Sequence, residues 1–185
     1  MRVAVLDACV LYSAPVRDLF MYLVELFQPK WSEQIHEEWM SNLLLNRPDI
    51  SLAQLERTRD LMNRHGRDCL VSHYRHLIPS IPLPDAKDRH VVAVAIASKA
   101  PTIVTFNLRD FPNEVLRNYE IESVHPDDFA LSLCAASHET FLSLVARHRK
   151  ALHSPSKTVT EYLAALEACG LTKTATRLCE HCDAI

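Results

Sequence analysis

The first dozen residues limit what this chain can fold into more than any other stretch. Residues Val3 to Leu6 form an uninterrupted apolar run rich in β-branched side chains, which ends in Asp7 before the chain turns apolar again. Such a run is typical of a buried parallel strand, and open α/β sheets build their sites at the carboxyl ends of these strands. We therefore expect an α/β fold whose first strand delivers Asp7 to one edge of a central sheet.

Length and composition are those of a globular domain with an appendage. The chain has 185 residues, of which 48% are hydrophobic and 23% charged, with a formal net charge of −3. The negative charge excludes nucleic-acid binding by a global positive field, so such a partner would have to be held locally. No apolar run approaches the roughly 20 residues of a membrane span, and the start lacks a secretory signal. We expect a cytoplasmic protein without membrane contact.

Acidic residues recur on two predicted helices. Ser32 is a good N-cap for a helix on which helical spacing turns Glu38 further inward than Glu37. Asp88 falls on the first turn of a strongly apolar helix, three residues after Asp85 at an N-cap position. An acid on an apolar face is costly to bury unless something pairs with it, which favours a function for Asp88.

A second buried strand, residues 102–106, is followed at once by a polar segment that contains Asp110. Because strand–helix–strand crossovers are right-handed, the carboxyl ends of both strands lie at the same edge of the sheet. Asp7 and Asp110 can therefore meet there, and the intervening helix presents Asp88. The amphipathic helix before Phe27 is expected to cover the sheet, with Pro29 ending it.

Four carboxylates brought together without matching basic neighbours would repel one another and take up protons. A divalent cation resolves this repulsion, and Mg²⁺ or Mn²⁺ prefers carboxylate and water oxygens completed by substrate phosphate. The two glycines, Gly66 and Gly170, cannot form a glycine-rich phosphate loop, which excludes Walker-type and Rossmann nucleotide binding. The chemistry that remains is hydrolytic.

Four blocks, in this order, resemble the PIN-domain ribonucleases and most of all the VapC-type toxins of bacterial toxin–antitoxin pairs. The blocks are Val5 to Leu11 around Asp7, Ile35 to Trp39 around Glu38, Pro84 to Val91 around Asp88, and Thr105 to Pro112 around Asp110. The resemblance implies a PIN-like fold, a central parallel sheet flanked by helices. It also implies a catalytic site of Asp7, Glu38, Asp88 and Asp110, in which Asp7, Asp88 and Asp110 bind the metal.

Five polar residues flank these acids. Thr105 could hydrogen-bond a carboxylate or be an ordinary strand threonine, and Asn107 stands where related toxins often carry an acid. Arg89, His90 and Arg109 could contact substrate phosphates, or could simply balance the acidic charge. We therefore treat this group as candidate substrate-binding or supporting residues.

The resemblance places a PIN-like nuclease domain at residues 1–130. Residues 131–185 continue with helical patterns, including a capping box at Thr158 and Glu161, and are similar to the extension of longer toxins of this group. We expect a helical C-terminal extension.

The favoured function is a Mg²⁺- or Mn²⁺-dependent endoribonuclease that is the toxin of a type II toxin–antitoxin pair. It would hydrolyse RNA phosphodiester bonds with metal-activated water and without a covalent enzyme intermediate. The resemblance implies RNA as substrate, a cognate antitoxin as partner, and a homodimer. One alternative is a non-catalytic PIN-like module that binds RNA or protein. A phosphatase with Asp7 as nucleophile is weaker, because the general acid required two residues later is Cys9.

Overall fold

The computed structural model describes residues 1–153 and 155–185. These residues form two compact units, and each unit is built from two separate segments of the chain. The first unit comprises Met1–Tyr12 and Gln28–His125, and the second comprises Ser13–Phe27 and Pro126–Ile185. The division at residue 130 that the family resemblance implies stays a prediction about domains.

A four-stranded sheet organises the first unit. The strands are β1 (Arg2–Leu6), β2 (Phe27–Lys30), β3 (Thr102–Val104) and β4 (Glu122–Val124). Their order is β2-β1-β3-β4, and β3 pairs in parallel with both β1 and β4. The parallel pairs align the ends of β1 and β3, since Leu6 lies opposite Val104. The predicted α/β fold with a central parallel sheet is confirmed.

Helices surround this sheet and make up the second unit. They are α1 (Ala8–Tyr12), α2 (Ala14–Tyr22), α3 (Glu33–Asn46), α4 (Leu52–His65), α5 (Arg89–Ser98), α6 (Asn113–Leu116), α7 (Pro126–Ala136), α8 (His138–Ala151), α9 (Val159–Ala168) and α10 (Thr172–Cys179). Within residues 1–153 and 155–185, none of them combines the length and apolar character that crossing a membrane requires.

Helix α5 is the main cover of the sheet in the first unit, where it packs against β1 and β3. Residues Val91 to Ala95 are completely buried. Because a helix normally presents only one apolar face, this continuous burial shows that α5 is enclosed on several sides. At its start, Asp88 and Arg89 are partly exposed, whereas the side chain of His90 is buried with the apolar residues that follow it.

Capping residues fix where α3 begins. The Ser32 hydroxyl accepts a hydrogen bond from the Ile35 amide at 3.3 Å, as the sequence predicts for an N-cap. This start places Glu37 on the exposed side and leaves Glu38 partly buried. The cap thus sets the helical phase that turns Glu38 toward the interior of the unit.

In the second unit, α2 packs against α8 and α9, and α10 packs against α7 and α9. Three aromatic rings occupy its interior, with centroids 5.1 Å to 6.0 Å apart, and they belong to Phe20, Phe27 and Phe129. The expectation that α2 covers the sheet stays a prediction; its apolar face meets α8 and α9, and its Phe20 ring contacts Phe27, the first residue of β2. An amphipathic pattern identifies a buried face but does not identify its partner.

Asp127 fastens α10 in the second unit. Its side chain is buried and accepts hydrogen bonds from the amides of Lys173 and Thr174, each at 2.8 Å, and from the Thr174 hydroxyl at 2.6 Å. The first amides of a helix have no partner within the helix, so a buried carboxylate there both satisfies them and complements the helix dipole.

We predict that Asp127→Ala lowers the free energy of unfolding of the second unit by about 1–3 kcal/mol, because it leaves buried amide donors without an acceptor. Asp128→Ala is the matched control, since its ion pair with Lys173 is exposed and should contribute less than about 1 kcal/mol. Urea unfolding followed by circular dichroism measures both. Equal midpoints for the two variants would contradict this role of Asp127.

Candidate functional site

Asp7 directly follows β1 and is almost completely buried, with 6% of its surface exposed. The Ala8 amide donates to its Oδ1 at 2.7 Å, the Thr105 hydroxyl donates to its Oδ2 at 2.7 Å, and the Cys9 thiol donates to the same oxygen at 3.1 Å. These three donors hold the Asp7 carboxyl group in one orientation.

Thr105 connects the ends of the strands to the segment that carries Asp110. Its side chain is fully buried, and its amide donates to the carbonyl of Val124 at 3.0 Å. The hydroxyl that donates to Asp7 also accepts from the Asn107 amide at 3.0 Å. Because both roles of this hydroxyl are used, a change at Thr105 would affect Asp7 and the following turn together.

Cys9 belongs to the same hydrogen-bond network. Its sulfur lies 3.3 Å from the Thr105 hydroxyl and accepts from the Phe106 amide at 3.3 Å. Burial, and then the charge of Asp7, raise the pKa of the Cys9 thiol to about 12. The thiol therefore stays protonated and acts as a donor to Asp7. It is not a nucleophile.

Asp88 sits at the junction between a single 3₁₀ turn, Ala86–Asp88, and α5, where the sequence predicts the first turn of the helix itself. Asp85 caps that turn by accepting from the Lys87 amide at 2.8 Å. Asp88 is half-buried and makes no capping hydrogen bond with its side chain. The turn thus leaves the Asp88 carboxylate available for another partner.

The electrostatic environment of Asp88 identifies the acids that surround it. Burial makes the largest contribution, and the charges of other acids add to it, so that the pKa of the Asp88 carboxyl rises to about 6. In decreasing order of effect, these acids are Asp7, Asp85, Asp110 and Glu38. All four predicted catalytic acids therefore lie in one electrostatic neighbourhood, to which the structure adds Asp85.

Asp110 ends a second 3₁₀ turn, Leu108–Asp110, which follows β3. Its amide donates to the Asn107 carbonyl at 3.0 Å, and its side chain is partly exposed. Asn107 and Arg109 are exposed on the same turn. Arg89 is partly buried, and its Nη2 donates to the Leu83 carbonyl at 3.4 Å.

Glu38 has a partner that sequence reasoning missed. Its Oε1 lies 2.9 Å from Nε2 of His90, whose ring is only 1% exposed. The interpretation of His90 as a phosphate contact is wrong, because the ring is closed off from solvent. One signal was present in the sequence: an imidazole on a helix that is otherwise apolar is expensive to bury without a partner.

The oxygen-rich donor set suits a hard divalent cation, and burial together with the charges of the other acids raises the pKa of Asp88. In the described part of the chain, however, no three His, Cys, Asp or Glu side chains stand close enough together to hold a metal ion. Coordination by these acids therefore requires their side chains to move toward one another.

Two family models match the chain. The model described as a PIN domain matches residues 3–109, which include Asp7, Glu38 and Asp88. The model described as the VapC50 C-terminal domain matches residues 126–180, within the second compact unit. Together the two models cover most of the sequence.

A curated relative, the putative ribonuclease VapC50 of Mycobacterium tuberculosis (strain ATCC 25618 / H37Rv), is 53% identical over 45 residues. The match covers 24% of this chain and 27% of the relative, so it spans about a quarter of the length of either protein. No solved structure matches the chain.

We predict that Asp88→Asn stabilises the metal-free protein above pH 6. The pKa of Asp88 lies above its ordinary 3.8, so the folded protein favours the protonated form of this carboxyl group. The resulting contribution to stability is fully present below about pH 4 and is lost as the pH rises through about 6. Solvent screens part of the repulsion, because Asp88 is only half-buried. Removing the charge should therefore raise the free energy of unfolding by about 1 kcal/mol and the melting temperature by ~2–4 °C. Thermal unfolding with a chelator at pH 8 and pH 5 measures it.

The gain should be smaller at pH 5, where the folded protein already carries a proton on Asp88. Glu37→Gln, which neutralises an exposed acid on α3, should leave the melting temperature nearly unchanged. A lower melting temperature for Asp88→Asn at pH 8 would show that Asp88 is not repelled by its neighbours.

Proposed function

Since the chain belongs to the PIN-domain family, in its VapC-type form with a C-terminal extension, we propose that it is a metal-dependent endoribonuclease and the toxin of a type II toxin–antitoxin pair. Its substrate is RNA, and it hydrolyses phosphodiester bonds with Mg²⁺ or Mn²⁺ as cofactor. The relative that is named a putative ribonuclease supports this reaction class. The match to it covers 27% of its length.

One observation carries the proposal: a buried Asp7 that accepts three hydrogen bonds lies in the same electrostatic neighbourhood as a half-buried Asp88 whose pKa is raised to about 6. Burial contributes most to this rise in pKa and the charges of the neighbouring acids add to it, whereas a structural ion pair would lower the pKa. Carboxylates that lie near one another at the end of parallel strands are typical of a site that binds a cation.

In this proposal Asp7, Asp88 and Asp110 are the metal ligands, and Glu38 completes the catalytic set. A divalent cation bound there would lower the pKa of a water molecule and neutralise charge on the reacting phosphate. Asp7 serves as the fixed ligand, because its three donors leave it little freedom. Asp88 and Asp110 are partly exposed and can adjust to the cation.

The flanking residues support the acids in different ways. Thr105 and Cys9 orient Asp7 through the hydroxyl and the thiol. Asn107 would contribute a neutral oxygen, which weakens the charge of the site relative to an acid. Arg109 is exposed beside Asp110 and is suited to contact a substrate phosphate, while the partly buried Arg89 is suited to balance charge.

We also propose that the protein is cytoplasmic and forms a homodimer. A cognate antitoxin covers its acidic site with an inserted helix or an arginine-bearing segment. The acids that surround Asp88 support a cationic partner at this site. Co-purification with the product of the neighbouring reading frame, with and without Asp7→Asn, tests the antitoxin. Sedimentation equilibrium of the chain alone tests the dimer.

The alternative function is a non-catalytic PIN-like module that binds RNA or protein. The four acids are all present, which favours the enzyme, since RNA binding alone is opposed by four carboxylates near a phosphate backbone. A module of this kind would use its carboxylates only to recognise a partner or a metal ion and would leave the RNA intact.

We predict that Asp7→Asn lowers RNA cleavage by at least about 100-fold, because changes in groups that only support a ligand already cost 10- to 100-fold. The amide keeps the shape of the carboxylate and can still accept from Thr105, so the fold should persist. Cleavage of labelled RNA with Mg²⁺ or Mn²⁺, and its loss with a chelator, provide the measurement.

Glu37→Gln is the matched control, an acid-to-amide change on an exposed position of α3. It should cleave RNA as fast as the wild type. Equal rates for the wild type and Asp7→Asn would overturn the proposed site, and cleavage that persists in the chelator would overturn the role of the metal.

A further inference from the structure

We propose that His90 is a positioning residue that holds Glu38 in its working orientation. This inference rests on the proposed function, because it assigns a role to His90 only through an acid of that site. The contact joins two elements that are distant in sequence, since Glu38 lies on α3 and His90 on the first turn of α5. The distance between His90 Nε2 and Glu38 Oε1 is 2.9 Å.

Glu38 is the only hydrogen-bond partner of the His90 ring in the described residues. The ring is 1% exposed, and its other nitrogen, Nδ1, is buried without a partner. We assign the ring hydrogen to Nε2, so that the imidazole donates to the Glu38 carboxyl oxygen. The hydrogen bond that the ring makes within the described residues is therefore directed toward Glu38.

A purely apolar residue would be cheaper to bury at this place. Residues Val91 to Ala95, which follow His90, are completely buried and apolar, whereas His90 leaves one nitrogen unsatisfied. An unpaired buried polar atom costs free energy, so packing alone does not account for a histidine here. The hydrogen bond to Glu38 is the feature that a leucine could not supply.

The position of Glu38 matters because its side chain has room to leave the site. The Glu38 side chain is 35% exposed, whereas Asp7 is buried. The cap at Ser32 fixes the start of α3 but does not contact the Glu38 side chain. The charge of Glu38 acts on Asp88, which is two residues before His90. The hydrogen bond from His90 thus joins Glu38 to the first turn of α5, which directly follows Asp88.

Supporting hydrogen bonds of this kind orient the carboxylates of metal sites, and their loss typically costs about 10- to 100-fold in activity or metal affinity. We expect the same range for His90. The rate constant kcat should fall while the KM for RNA changes little, because Glu38 acts on the reacting group and His90 does not touch RNA. If the hydrogen bond only joined α3 to α5, its loss would lower the free energy of unfolding and leave kcat unchanged.

The test uses the full chain and two amide variants of equal polarity. His90→Gln can place an amide N–H near the position of Nε2, whereas the shorter His90→Asn cannot reach Glu38. Cleavage of labelled RNA gives kcat and KM for the wild type, both variants, Glu38→Gln and each double variant. Thermal unfolding identifies any variant that fails to fold, and the Gln and Asn variants carry the same amide group and differ in reach by one methylene.

His90→Asn should lower kcat about 10- to 100-fold, and His90→Gln should restore most of it. In the Glu38→Gln background, His90→Asn should have no further effect, because a positioning residue acts only through its partner. If cleavage depends on Asp7 but His90→Asn matches the wild type, or if its effect persists without Glu38, the inference about His90 alone is overturned. If wild type and Asp7→Asn cleave RNA equally, the proposed function fails and this inference fails with it.

Discussion

The structure of the site depends on how Asp7 is held at the end of β1. A carboxylate that is 6% exposed would normally be neutralised or expelled, yet this one receives hydrogen bonds from Ala8, Cys9 and Thr105. The Thr105 hydroxyl lies at the end of the neighbouring strand, so the same bond that stabilises the acid also joins two strand ends. The sheet and the charged group are therefore fixed together.

Around this fixed acid, charge is concentrated without being compensated. Asp88 is held on a short turn before an apolar helix, and burial together with the nearby acids raises its pKa to about 6. A chain folded for stability alone would place a basic residue or an apolar side chain there. The unfavourable repulsion between these acids in the metal-free protein is what would make a bound cation favourable.

Local sequence signals predicted the parts of this arrangement that local chemistry controls. The apolar run before Asp7 and the cap at Ser32 have the structure that their patterns indicate. Pro29 was expected to end a helix, but it lies within β2, at the edge of the sheet, where a missing amide costs no hydrogen bond in the interior. The contact between Glu38 and His90 could not be predicted, since tertiary packing brings together residues 52 positions apart.

The central claim is that the acids around Asp7 form a binding site for a divalent cation. Calorimetric titration of the full chain with Mn²⁺, in buffers of different ionisation enthalpy, tests it by counting the protons released on binding. Because the pKa of Asp88 is about 6, we expect release of about half a proton at pH 6 and almost none at pH 8. Absence of Mn²⁺ binding, or binding with the same proton count at both pH values, would contradict the account.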